Sequence, residues 1–402
     1  MKKIFILSVI LVITAQLTTL SSTPLYVPDS NSKKSINSFS VDIFKREVAA
    51  NKAKNVVISP LSIYIALAMA YNGADGKTKS EIGTAMHLQK ISEKQLNSTI
   101  KGMKTAFDKT YPSTELRIAN SIWSWEANSF LPSYKTLCKN YFNADALIIP
   151  KTSPEKAVNN WVKAKTKNKI KSIVGRLTRS ETALVLLNAV YFNGKWEIPF
   201  KTNNTMQETF NISKGKTLKV PMMCIKDKHF DYYRNNEMQV VCLPYKYPYK
   251  AYIFLASESI TADSFIKSLS ADKISSIISK MKSQEGTVKL PRFKLDEEQD
   301  LKVILKQMGV KTAFSNSDLS RMSNINGLFI KDVLHKTYID MNEQGTEAAA
   351  VTEIHIALSA HIAPTAKIIP FYFHANRPYV IAITYGKFAV PIFMGVINNP
   401  AK

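Results

Sequence analysis

Six histidines (His87, His229, His335, His355, His361 and His374) and three cysteines (Cys138, Cys224 and Cys242) hold most of this chain's capacity for metal ligation and nucleophilic attack. No histidine pair stands at the H-E-x-x-H spacing, and no cysteine and histidine stand at zinc spacing. No G-x-S-x-G elbow presents a serine nucleophile. GADGKT (73–78) has the end of a phosphate-binding loop, but Tyr71 stands where that loop needs glycine, and a helix rather than a strand is expected before it, so it reads as a turn. Catalytic, metal and cofactor chemistry therefore find no support in residue spacing. The pattern with a chemical consequence lies near the C-terminus, in GTEAAAVTEIHIALSAHIAPTAK (345–367). There Thr346, Ala348, Ala350, Thr352 and Ile354 alternate with Glu347, Ala349, Val351, Glu353 and His355, a strand-like period of two with small residues on one side and both acids on the other.

The elements that must position this segment are mixed. Helices are expected over 31–50, 60–73, 92–110, 133–142, 153–166, 262–282 and 300–308; Ser59 caps the second, Pro60 opens it and Asn72-Gly73 stops it. Strands are expected over 116–125, 182–192, 240–243, 252–255, 286–290, 328–341, 379–385 and 392–396. Helices dominate the first half and strands the second, which describes an α+β fold with antiparallel or mixed sheets and not a doubly wound nucleotide fold. No linker, repeat or low-complexity tract divides the chain, so a single domain over 24–402 is expected.

Residues 1–23 read as a secretory signal peptide: Lys2 and Lys3 precede an apolar run over 4–15 that is too short to span a bilayer, with cleavage between 15 and 23. Export would suit the sequons at Asn97, Asn203 and Asn211, which make N-glycosylation an expectation. Three cysteines allow at most one bridge, and buried free thiols are the expected case. The formal net charge of +23 favours polyanions such as sulfated glycans. WVKAKTKNKIKSIVGR (161–176) holds six basic residues and no acid (Lys163, Lys165, Lys167, Lys169, Lys171 and Arg176), and Lys163, Lys167 and Lys171 would share a face if helical. Lys94, Lys101 and Lys104, with Lys90 and Lys109, line a second helix and complete the candidate glycosaminoglycan surface.

Several stretches resemble the serpin family, in order along almost the whole chain: NVVISPLSIYIALAMAYNGADGKTKSEI (55–82), LNAVYFNGKWEIPF (187–200), VKLPRFK (288–294), LKQMGVKTAFS (305–315), DLS (318–320), MNEQGTEAAA (341–350), FHANRPYVIAI (373–383) and PIFMGVINNP (391–400). The resemblance implies one domain of three β-sheets and about nine helices, with an exposed reactive-centre loop at about 343–370. It implies a secreted monomer that inhibits serine proteases as a suicide substrate. The protease attacks the loop, and the hinge side then inserts into the main sheet and traps the acyl-enzyme. Carried over by position, Glu343, Gly345, Thr346, Glu347, Ala348, Ala349, Ala350 and Thr352 form the hinge. Ser59, Ser62, Asn188 and His335 form a polar shutter beneath the sheet, and Trp196 marks where the loop enters.

The alternation in 345–367 suits that mechanism. Thr346, Ala348, Ala350 and Thr352 are small enough to enter a packed core, where overpacking costs about 1–3 kcal/mol per site. Gly345 supplies hinge freedom, and Glu347 and Glu353 stay wet. From Thr346 to Ser359, at roughly 3.3 Å per residue, the segment reaches about 45 Å. The family's count from Glu343 places the scissile bond at Ser359–Ala360, suiting elastase-like enzymes; one residue earlier, Leu358–Ser359 suits chymotrypsin-like ones. Lys367 would suit a trypsin-like target, eight residues further on. A noninhibitory serpin (carrier, chaperone or storage protein) and a secreted hydrolase are the competing readings.

Overall fold

The computed structural model describes residues 26–109, 111–178, 183–213, 215–346, 369–386 and 390–401. Its first half runs α1 (Ser30–Ala50), β1 (Val56–Ile58), α2 (Pro60–Gly73), α3 (Gly76–Ala85), α4 (Glu93–Phe107), β2 (Thr114–Ser124), α5 (Pro132–Leu137), β3 (Asp145–Ile148), α6 (Pro154–Lys165) and β4 (Ala183–Lys195). There follow β5 (Met206–Ser213), β6 (Lys216–Arg234), β7 (Met238–Pro244), β8 (Tyr249–Ala256), α7 (Ala262–Ser268), α8 (Ala271–Lys280), β9 (Lys282–Pro291) and β10 (Phe293–Asp300). The chain closes with α9 (Lys302–Gln307), β11 (Phe329–Asn342), β12 (Gly345–Thr346), β13 (Phe371–His374), β14 (Tyr379–Tyr385) and β15 (Val390–Ile397).

Each departure from expectation has a local cause. GADGKT is not merely a turn: the Asp75 carboxylate accepts the Gly76 N–H and starts α3. The single helix expected over 262–282 breaks in two, because the Ser270 side chain accepts the Lys273 N–H and begins a second helix. β5, β6 and β10 escaped notice because each leaves polar residues exposed along much of its length, so the apolar signal is thin.

The strands form two hydrogen-bonded networks. A six-stranded sheet runs β10-β11-β12-β4-β2-β3. A nine-stranded network runs β1-β15-β14-β8-β7-β6-β9-β13, with β5 on β6. The 19-residue β6 is why two sheets count as one network: it pairs with β5 near its start and with β7 at its end, and its register on β9 shifts between Ile225 and Lys228.

α2 is buried from Pro60 to Ala70 and packs on β2, β4 and β15, as a helix apolar all round must. It forms the floor of the six-stranded sheet. On the sheet's other face, Val158 and Val162 of α6 cover Trp123, Val185 and Leu187 in a second apolar cluster. A strand entering this sheet thus meets packed layers on both sides.

Candidate functional site

Across most of their length β11 and β4 pair directly in parallel, from Phe329↔Ala183 to Tyr338↔Tyr191. At one end β12 separates them. Gly345 and Thr346 pair antiparallel with Lys195 and Gly194 of β4, and with Asn342 and Met341 of β11. Two residues of the candidate hinge are therefore already strand, and the seam below them is closed.

Gly345 has φ of +149°, and a Cβ there would lie 1.9 Å from the Gly194 carbonyl oxygen, so glycine is required twice over. Thr346 is fully buried, with Oγ1 2.6 Å from the Tyr245 hydroxyl. The preceding residues are riveted to the body. Trp196 donates its backbone N–H to Gln344 O at 2.9 Å and Nε1–H to Asn342 O at 3.0 Å. Phe200 donates its N–H to Glu343 O at 2.9 Å; Thr205 Oγ1 donates to the Glu343 carboxylate at 2.9 Å, and Arg292 lies 3.6 Å from it. Trp196 stacks on Tyr245 at 4.2 Å between ring centroids, 16° from parallel.

Further along the seam lies a buried polar row. Asn120 of β2, Asn188 of β4 and His335 of β11 are register partners across three strands. His335 Nε2 accepts the Ser59 backbone N–H at 3.0 Å, which leaves Nδ1–H to donate to Asn188 Oδ1. Ser62 Oγ donates to the same Oδ1 at 2.8 Å, and Asn188 Nδ2 donates to Asn120 Oδ1. Burial pushes the His335 imidazole down to about 3, so it is neutral at physiological pH, as its acceptor role requires. Ser59 Oγ and Asn120 Nδ2 are buried and have no hydrogen-bond partner among the described residues. The expectation that the Ser59 side chain caps α2 is thus corrected: the hydroxyl makes no cap, because its backbone N–H, turned toward His335, makes the useful bond.

The remaining candidates divide. Asn97 is corrected as a glycosylation site: it is buried and exchanges two amide hydrogen bonds, 2.7 and 2.9 Å, with Asn72 of α2. Asn203 and Asn211 are exposed. Lys104 is corrected as a polyanion contact, since its amine is buried 3.8 Å from Asp108 and burial lowers its pKa. Lys163, Lys167 and Lys171 share no helix face, because α6 ends at Lys165 and Lys167 and Asn168 adopt left-handed backbone. Lys165 pairs with Asp145 at 2.9 Å and Lys167 with Glu115 at 2.8 Å. Lys94, Lys101, Lys169, Lys171 and Arg176 are exposed. Glu347, Ala348, Ala349, Ala350, Thr352, Leu358, Ser359, Ala360 and Lys367 lie outside the described residues, as do residues 1–23.

Cys138, Cys224 and Cys242 are free and buried, and burial raises the Cys138 and Cys242 thiols to about 12, away from nucleophilic use. Among the described residues no group of three or more His, Cys, Asp or Glu could hold a metal ion. Sequence reading missed Tyr245, Asn120, Thr205 and Arg292.

The six-stranded sheet thus has a two-residue antiparallel strand at one end and a buried polar row across the closed seam beyond it. The family model for serpins (serine protease inhibitor) matches residues 34–400, and the chain belongs to this family. It is 32% identical to the leukocyte elastase inhibitor of Sus scrofa over 376 residues, 90% of this chain and 97% of the relative. An uncharacterized serpin-like protein of Thermococcus kodakarensis is 33% identical over 369 residues, 91% and 85% of the two chains. Among solved structures, the native state of the thermophilic serpin tengpin superposes with a TM-score of 0.82 at 30% identity, covering 92% of this chain and 95% of that one. The expected α+β serpin fold is thereby shown.

Proposed function

We propose that this protein is a secreted inhibitor of serine proteases that traps its target by inserting its cleaved reactive loop into the six-stranded sheet. The observation that carries this reading is the register of β12. Continued past Thr346 in the same antiparallel register, Ala348 falls opposite Phe192 and Ile339, and Ala350 opposite Val190 and Thr337. Thr352 then falls opposite Asn188 and His335 together. All three alternate positions face inward, as buried Thr346 does. Alanines meet the apolar part of the core, where bulk would clash. The one hydroxyl arrives at the polar row, where Ser59 Oγ and Asn120 Nδ2 lack partners.

The target class rests on Ser359–Ala360 or Leu358–Ser359 as the attacked bond, favouring elastase- or chymotrypsin-like enzymes, with Lys367 and a trypsin-like enzyme as the alternative. A relative named for inhibition of leukocyte elastase supports the first. Export rests on the apolar run after Lys2 and Lys3. Sulfated-glycan binding rests on the exposed bases Lys94, Lys101, Lys169, Lys171 and Arg176.

Incubation with elastase, chymotrypsin and trypsin, followed by denaturing electrophoresis, tests the reading. The expected product is a complex stable to boiling in detergent, with a C-terminal peptide whose mass locates the cut. Cleavage without a complex would refute inhibition and leave a noninhibitory serpin. N-terminal sequencing of protein recovered from culture medium tests export and the cleavage point.

A further inference from the structure

The two strand networks leave a gap that trapping a protease does not use. A cleft of about 1240 Å³ opens where β10, at the edge of the six-stranded sheet, parts from the ends of the nine-stranded network. Val56 and Leu295 are buried in its wall, and Ile212, Ile260 and Pro378 line it half-buried. Pockets for small organic ligands run to roughly 1,000 Å³, so the space suffices for one.

The walls are fixed without a ligand. Asn55 Nδ2 donates to Asn399 O at 2.7 Å, and Asn55 Oδ1 accepts the N–H groups of Asn398 and Asn399 at 2.8 Å. This ties the chain between α1 and β1 to the segment after β15. Arg377 donates to Ala256 O at 2.7 and 3.2 Å, and the Asn211 N–H donates to Asn376 O at 2.7 Å. The guanidinium and these amides are therefore engaged by the protein itself.

One charge in the wall is not. In a chain of net charge +23, β10 carries Asp296, Glu297, Glu298 and Asp300. Asp296 and Glu298 share Lys336 on one face, at 3.4 and 3.3 Å. Glu297 alternates to the other face with Leu295, toward the cleft. It is half-buried and forms no ion pair among the described residues. Burial and the adjacent Asp296 hold its carboxyl above the ordinary range, as suits an acid short of donors.

We propose that this cleft binds a small amphipathic amine, with its ammonium on the Glu297 carboxylate and its apolar body against Val56, Leu295, Ile212, Ile260 and Pro378. An ammonium suits the site better than a carboxylate because the acid lies in the wall, whereas Lys54 and Lys216 are exposed at the rim. It suits better than an alcohol because a hydrogen bond between two charged groups is about twice as strong as a neutral one.

Phenylpropylamine, phenylpropanol and phenylpropanoate share one apolar body and differ in the head group. Their affinities for the intact protein at neutral pH are read by saturation-transfer NMR and titration calorimetry. The amine should bind about tenfold more tightly than the other two. Glu297→Gln should erase that preference, and Glu298→Gln, the same charge change on the opposite face, should leave it in place. Absence of binding by the amine, equal affinities, a preference for the carboxylate, or an equal effect of both variants would overturn the proposal. The measurement needs no protease, so its outcome is separate from that of the inhibitory reading.

Discussion

Lowering pH should cost the fold stability through the polar row across the seam, and His335 sets the size of the effect. Its imidazole is fully buried and neutral, with a pKa pushed to about 3 by burial against a reference of 6.5. In the unfolded chain the same ring takes up a proton near pH 6.5; in the folded protein it does not. Folding stability from this group is therefore complete above pH 6.5 and is lost as pH falls from there toward 3. At pH 5 the loss amounts to about 2 kcal/mol, from about 1.4 kcal/mol per pH unit over one and a half units. His335→Gln removes the titration while keeping a donor and an acceptor in the row. The variant should be the less stable protein at pH 7.5, since Ser59 N–H and Asn188 Oδ1 lose well-placed partners. The gap should narrow by about 2 kcal/mol between pH 7.5 and 5, read from urea-unfolding midpoints of both proteins in matched buffers. Parallel pH profiles would mean that His335 keeps an ordinary pKa, and the description of a buried, neutral row would fall.

Other outcomes follow from the same geometry. Glu47, 2% exposed on α1, has its carboxyl raised to about 7 by burial and by Asp300, so its contribution is full below pH 4.5 and is lost as pH rises through 7. Glu47→Gln should gain about 3 kcal/mol on the unaltered protein between pH 4.5 and 8 in unfolding measurements; a pH-independent difference would refute this. Thr346→Arg places a guanidinium in a fully buried slot. It should turn the inhibitor into a substrate, with cleaved protein replacing the detergent-stable complex on a gel. Thr352→Val should leave the rate of cleavage unchanged and lower the thermal resistance that the nicked protein gains, by about 1–3 kcal/mol expressed as a free energy; an unaltered gain would show that the register past Thr346 is not continued.

What the sequence disclosed and what it withheld differ in the distance over which the information acts. α2 was legible because Ser59-Pro60 opens it, Asn72-Gly73 closes it and the stretch between is apolar apart from Ser62 and the tyrosine hydroxyls. The hinge was legible because small residues alternate with acids over adjacent positions. Asn97 illustrates the opposite case: a local N-x-T pattern cannot reveal that its amide is matched to Asn72, 25 residues earlier on another helix. Lys104 looked like part of a basic helix face, yet its aliphatic stem allows it to be carried inward. Tyr245 meets Thr346 only because two segments 101 residues apart converge there, and LPYKYPY carries no sign of it. The split of 262–282 turned on one serine hydroxyl competing for a backbone N–H, a choice that periodicity cannot anticipate.

The two-residue strand also spares the molecule a search. A segment sliding freely into a sheet could settle one position out of step, and every side chain would then face the wrong way, burying Glu347 and Glu353. With Gly345 locked against Gly194 and Thr346 against Met341, the first teeth of the zipper are already meshed. Under the proposed insertion, closure from there has a single phase to follow, and a race against deacylation would begin with alignment already settled.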